Sequence, residues 1–142
     1  MKRFTDEQGF TLIEVLIAVV IFTVGILSVN VMQLTSIKGN STANNISEAT
    51  RWGVDKMEQF LAMDYNNATL FDDNDGGIYM LADGTTGTAD GSTPSLDGSY
   101  NIFWNVTNNS PINNTKTIEV IVTWVRGKPK SYTITFIKSN IY

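Results

Sequence analysis

The chain has 142 residues, a formal net charge of −4, and neither cysteine nor histidine. That length favours one modest domain, and the charge argues against a general nucleic-acid binder, which needs a basic stripe. Disulfide staples, thiolate or imidazole metal sites, and cysteine or serine–histidine catalysis are all excluded, so the composition leans away from enzymes and predicts no cofactor and no metal.

The first predicted element is an apolar helix over residues 10–31, in which Glu14 is the single ionisable side chain. As a helix this run spans roughly 33 Å, enough for a bilayer core. Lys2 and Arg3 precede it, so the positive-inside rule places the amino terminus in the cytoplasm and everything after Val31 on the far side. The run is too long for a secretory signal and no small-residue cleavage site follows it. A plain anchor leaves Glu14 unexplained, because a charge at the bilayer centre costs about 2.5–3.5 kcal/mol. Glu14 lies only about 6 Å along the axis from Phe10, so an interfacial, snorkelling acid is the alternative to a functional one.

The helical pattern continues past the apolar run. No proline precedes Pro94, and Gly25 and Gly39-Asn40 are the places where a helix could bend. Ile46, Ala49, Gly53, Met57, Phe60 and Leu61 recur at three- and four-residue steps, a stripe flanked by Trp52 and Met63 that reads as core. Glu48, Arg51, Asp55, Lys56, Glu58 and Gln59 take the remaining faces. Gly53 within the stripe predicts close approach of a packed sheet, and the turn formers at 64–67 end the helix.

Residues 66–99 are rich in Asp, Asn, Gly, Thr and Ser and read as loop, with a short strand at 78–81. The nearest calcium-loop alignment takes Asp72, Asn74, Gly76, Gly77 and Asp83, but it lacks the fifth ligand and the bidentate glutamate, so a solvated acidic loop is the better reading. Three alternating runs follow: "SYNIFWNVT", "KTIEVIVTWVRG" and "SYTITFIKSNIY". Their period of two predicts half-buried strands, with Tyr100, Ile102, Trp104 and Val106, then Ile118, Val120, Val122 and Trp124, then Tyr132, Ile134 and Phe136 on one face. Short links at 108–114 and 126–130 make them an antiparallel sheet of three or four strands, packed on the helix stripe with Trp104 and Trp124 between. Arg126, Lys128 and Lys130 form a solvated basic tip.

Gly9-Phe10-Thr11-Leu12-Ile13-Glu14, with a short basic leader before it and an apolar helix after it, resembles the processing site of type IV prepilins and pseudopilins. The resemblance implies a cleaved leader, 1–9, cut between Gly9 and Phe10 by a prepilin peptidase that also methylates Phe10. It implies a transmembrane and filament-core helix, 10–31, and a periplasmic or extracellular globular domain, 32–142. Within that domain the helix continues to about 64, the loop covers 66–99 and the sheet 100–142. The fold is then α+β, a pilin fold with a long amino-terminal helix on a small antiparallel sheet. Glu14 would meet the amino-terminal ammonium of a neighbouring subunit. The partners implied are other pilin and minor pilin subunits, the peptidase/N-methyltransferase and inner-membrane lipid, with no nucleic acid. Major pilins often carry a proline where this chain has Val31. "EVLIAVVIFTVGIL", "MQLTS", "ATRWGVDKMEQF" and "TIEVIVTWVRG" look most like PilV-type minor pilins of the type IV pilus. A minor pseudopilin of type II secretion shares the same features, and a membrane-anchored periplasmic enzyme or sensor is the weaker alternative.

Overall fold

The structure, a computed structural model, describes residues 10–73 and 76–140. It is α+β: one long amino-terminal helix, a 3-10 turn and six strands. Helix α1 runs from Leu12 to Ala62 without a break, so neither Gly25 nor Gly39 interrupts it. The chain divides into two units, Met1–Ala43 and Asn44–Tyr142. In the first, the described residues are almost wholly helix, and every side chain on it is exposed.

In the second unit, the last turns of α1 lie on a four-stranded antiparallel sheet of order β3-β4-β5-β6. These strands are β3 (Gly91–Pro94), β4 (Asn101–Asn108), β5 (Thr115–Arg126) and β6 (Lys128–Ser139), and a separate hairpin joins β1 (Gly77–Met80) to β2 (Thr86–Ala89). The expected alternation holds. Ile102, Trp104 and Val106 of β4 and Ile118, Val120, Val122 and Trp124 of β5 are all buried with Ala49, Phe60, Leu70 and Tyr100 in one core. The Phe60 ring meets Trp104 edge-on at 5.2 Å, and Tyr100 meets Trp124 at 5.7 Å. Both tryptophans therefore fill the helix–sheet seam, where large rings contribute most of the buried apolar area.

The helical stripe is narrower than its periodicity suggests. Ala49, Gly53 and Phe60 are buried, whereas Ile46 and Leu61 are about half exposed. The sheet touches a single line along the helix, and a Cβ on Gly53 would stand 2.9 Å from Ile134 Cδ1, so the backbones come close there. Lys56, expected on an outer face, instead lays its ammonium over Trp104 at 4.5 Å and Phe60 at 5.1 Å. Long stems cover apolar rings in this way while the cation stays over their electron-rich faces. Burial holds the Lys56 ammonium below the usual lysine range.

The segment read as loop over 66–99 carries three short strands, a correction to the sequence reading. The anticipated strand is present at Gly77–Met80, but β2 and β3 were not foreseen. Apart from their threonines, both are built from Gly, Ser, Ala and Pro, which have weak strand preference, so backbone pairing decides. Gly91 of β3 sits opposite Trp104. A Cβ there would lie 2.0 Å from the indole, so only glycine lets the strand pass. Asp90 locks the approach, one carboxylate oxygen accepting from Val106 N and the other from Asp73 N. The β1–β2 hairpin reaches the face of the sheet opposite α1. Its Tyr79 ring lies 5.5 Å from Phe103, and its hydroxyl accepts from Asn105 Nδ2. Ile121, cross-strand neighbour of Phe103 on that face, is only 2% exposed, a burial that alternation did not predict.

What fixes the end of α1 comes from the sheet. The last turn of the helix has no basic residue of its own. Lys138 of β6 donates to Leu61 O at 3.0 Å and Met63 O at 2.7 Å. Its cross-strand neighbour, Lys116 of β5, donates to Tyr65 O at 2.9 Å and Leu70 O at 2.7 Å. Lys138 thus satisfies a carbonyl of the last turn of α1 and one just past it, at the helix's negative pole, and Lys116 holds the segment that follows. Burial, and then repulsion from Lys138, hold the Lys116 ammonium below its ordinary value. At the other end of the sheet, Tyr100 Oη donates to Glu48 Oε2 at 2.8 Å, which ties α1 to β4.

Candidate functional site

The residues singled out by sequence lie at the amino terminus. The leader, including Gly9, is outside the described residues. Phe10 is the first described residue, non-helical and 83% exposed. Helix α1 begins two residues later, and Thr11 caps it. The Thr11 carbonyl accepts from Glu14 N at 3.0 Å and from Val15 N at 3.3 Å. Its hydroxyl also accepts from Glu14 N, in a long contact of 3.4 Å. Thr11-x-x-Glu14 is the spacing of a capping box, and Phe10 and Val15 occupy the two positions of a hydrophobic staple. The sequence reading weighed Glu14 as an interfacial acid and as a partner for a neighbouring subunit's amino terminus, and missed this cap. The signal was there, a threonine three residues before a glutamate at the start of an apolar run.

Glu14 therefore has two local reasons to sit where it does. It is in the first turn, where the helix dipole favours an anion. It also lies on an otherwise apolar strip, sharing a shallow groove with Phe10, Val15, Ala18, Val19 and Phe22. None of the five side chains that share that groove can neutralise a carboxylate.

Beyond Glu14, the surface of α1 is apolar nearly all round as far as Val29. The large apolar side chains from Phe10 to Ile37 are between 47% and 85% exposed. The hydroxyls among them are satisfied within the helix: Thr23 donates to Val19 O at 2.7 Å, Ser28 to Val24 O at 2.9 Å and Thr35 to Val31 O at 3.0 Å. Asn30, Gln33 and Ser36 follow, exposed on the same helix, so the surface suited to lipid or to a helix bundle is that of residues 10–29. Among the described residues, α1 is the one helix long and apolar enough to cross a membrane.

The second unit offers less. Arg126, Lys128 and Lys130 are exposed around the β5–β6 turn at Gly127. Of the residues aligned to a calcium loop, Asn74 lies outside the described residues. The Asp83 carboxylate is engaged by Thr85, whose N–H and hydroxyl donate to it at 2.9 and 2.7 Å. Those bonds hold the Asp83 carboxyl below the usual range. Among the described residues, no cluster of three or more acids stands ready for a metal.

Residues 5–30 match the family model of the prokaryotic N-terminal methylation motif. Comparison with curated proteins and with solved structures finds no match. The matched segment holds Gly9, Phe10, Glu14 and the apolar start of α1, and it supports the type IV prepilin and pseudopilin superfamily. With the exposed apolar helix, it fits anchoring in the inner membrane before assembly with other pilins.

Proposed function

We propose that the chain is a minor type IV pilin of the PilV type, a non-catalytic subunit that helps prime a pilus or is built into it. A prepilin peptidase cuts between Gly9 and Phe10 and methylates the new amino terminus. The subunit waits in the inner membrane as a single span with its amino terminus in the cytoplasm. It then leaves lipid for the filament, where its soluble part faces the periplasm or the exterior. The observation that carries this reading is the methylation motif over residues 5–30, set on a helix whose apolar surface is exposed among the described residues.

The physics of assembly follows from that surface. Lipid tails and neighbouring apolar helices are similar surroundings, so transfer between them yields little hydrophobic gain. Specificity must come from packing and from the few polar contacts. A carboxylate and an ammonium attract strongly in a low dielectric, and either is costly alone. Glu14 paired with the amino terminus of a neighbour would thus select one axial register. The preference for a pilus subunit over a type II secretion pseudopilin rests on the sequence runs quoted above, since the processing motif is common to both.

The test is incorporation. Glu14→Ala should be cut normally yet be depleted at least tenfold from sheared filaments, since losing the pair costs about 1.4 kcal/mol or more. Incorporation at the wild-type level would remove the pairing step. Secretion failing while piliation stays normal in a deletion strain would move the chain to the pseudopilins.

A further inference from the structure

We infer that the basic turn between β5 and β6 docks on the anionic headgroups of the bilayer and holds the second unit on the membrane before assembly. The inference rests on the reading that α1 spans that bilayer. Arg126, Lys128 and Lys130 lie on one face of the hairpin, because Arg126 pairs with Lys128 and Trp124 with Lys130. Trp124 fills the core, so the three cations extend that face past it. All three are exposed, and among the described residues none is within ion-pair distance of a carboxylate. The acids at this end of the sheet are engaged by other donors. Glu48 accepts from Tyr100 Oη, and Asp97 accepts from Ser95 Oγ at 2.5 Å and from Ser99 N at 3.2 Å. Elsewhere in the second unit the exposed charges among the described residues are carboxylates, Arg51 apart. A cluster of unpaired cations on an otherwise acidic unit draws an anionic partner to that one end.

Position selects the partner. The second unit begins at Asn44, and the turn is at that end of it. The Tyr100 ring stands 5.7 Å from Trp124, and its hydroxyl lies 2.8 Å from Glu48 Oε2 and 3.3 Å from Asn45 O. The cations thus sit where the chain arrives from the apolar run. Residues 30–43 of α1 join that run to the unit, a rise of about 21 Å in helix. Headgroups occupy about 5–7 Å of this length. The turn extends about 7 Å past Trp124, and a Debye length of about 8 Å covers the rest. Each cation beside an anionic surface strengthens binding about fivefold, so three give about a hundredfold. The span keeps the unit beside lipid at all times, so an attraction of this size decides its posture. An acidic neighbour is met only on assembly.

Val125 is 72% exposed at the turn and the chain has no cysteine, so Val125→Cys takes a single donor fluorophore. The full-length protein is reconstituted in vesicles of phosphatidylcholine, alone or with about 30% phosphatidylglycerol as the anionic lipid, with an acceptor on the headgroups. Energy transfer should be higher with phosphatidylglycerol. The excess should vanish in about 1 M salt, where the Debye length is about 3 Å. Arg126→Gln/Lys128→Gln/Lys130→Gln should lose the same excess, whereas Arg126→Lys, which keeps the charge, should retain it. A donor carried by Ile112→Cys, in the link from β4 to β5 at the opposite end of the sheet, should show no dependence on lipid charge. Equal transfer from Val125→Cys in the two lipids overturns the inference and leaves the span standing. Transfer that instead rises with protein density in phosphatidylcholine alone also overturns it, and gives the turn to the acidic surface of another subunit. A chain that salt washes from the vesicles does not span them, and the inference falls with that reading.

Discussion

Replacing Lys116 by methionine tests what holds the segment after α1 to the sheet. Methionine keeps most of the apolar stem and removes the ammonium. Two carbonyls, Tyr65 O and Leu70 O, then lose their 2.9 and 2.7 Å donors. The cation's contacts with the Tyr65 and Phe71 rings, at 4.8 and 5.4 Å, go as well. Hydrogen bonds to a charged donor contribute about 1.5–3 kcal/mol each, so the gross loss is about 3–6 kcal/mol. Against it stands relief of the desolvation that depresses the Lys116 ammonium, and buried cations often cost several kcal/mol. The expected net loss is about 2 kcal/mol, since the carbonyls left behind cannot turn to water. For a unit of this size that is a fall in Tm of about 8–16 °C. Near-UV circular dichroism of the full-length protein in detergent reads it directly through the tryptophans. Hydrogen exchange should also speed up at Ala68–Leu70, the 3-10 turn that the lysine holds. Lys116 and Lys138 repel one another, and each single variant already relieves that repulsion, so the double methionine variant should lose more than the sum of the single ones. A Lys116→Met protein as stable as wild type would refute the clamp.

Gly91→Ala should cost about 1–3 kcal/mol by overpacking, because its Cβ would stand within 2.2 Å of two indole atoms of Trp104. A urea melt with an unchanged midpoint would contradict that close approach. Burial of the ring, and the bond it donates to Glu48, push the Tyr100 hydroxyl up to about 12. Its unfolded value is near 10, so the folded state holds this proton more tightly. The contribution is complete below pH 10 and is lost as pH rises from 10 to about 12. Tyr100→Phe should remove that alkaline loss. The depressed Lys56 and Lys116 titrate with the opposite sign and are present in both proteins, so the difference between the two pH profiles isolates Tyr100. Identical profiles would show that Tyr100 is not held neutral.

The strands β4, β5 and β6 were legible because β-branched or aromatic residues recur at every second position on the core face, although Phe103, Ile121 and Ile137 put apolar groups on the other face as well. The helix was legible because no proline interrupts it. Strands β2 and β3 were not, since Thr86–Ala89 and Gly91–Pro94 carry almost no apolar surface and owe their form to partners distant in sequence. The lysine clamp was readable in principle. The same alternation that puts Ile118 and Phe136 on the core face puts Lys116 and Lys138 there too, and a cation on a core face needs acceptors. What no local pattern could supply was the identity of those acceptors, the carbonyls past the end of α1. Glu14 stood out from the sequence as a charge in an apolar run, while its place in the Thr11 cap needed only a spacing that was overlooked.

The central claim is that the helix beginning beside Phe10 is exposed by proteolysis at Gly9 and then serves a filament. Mass spectrometry of the amino terminus of the native protein tests it most directly. The account predicts a first residue Phe10 carrying one added methyl group, with residues 1–9 absent. A mature chain that still begins at Met1, or that is cut elsewhere and unmethylated, would contradict it.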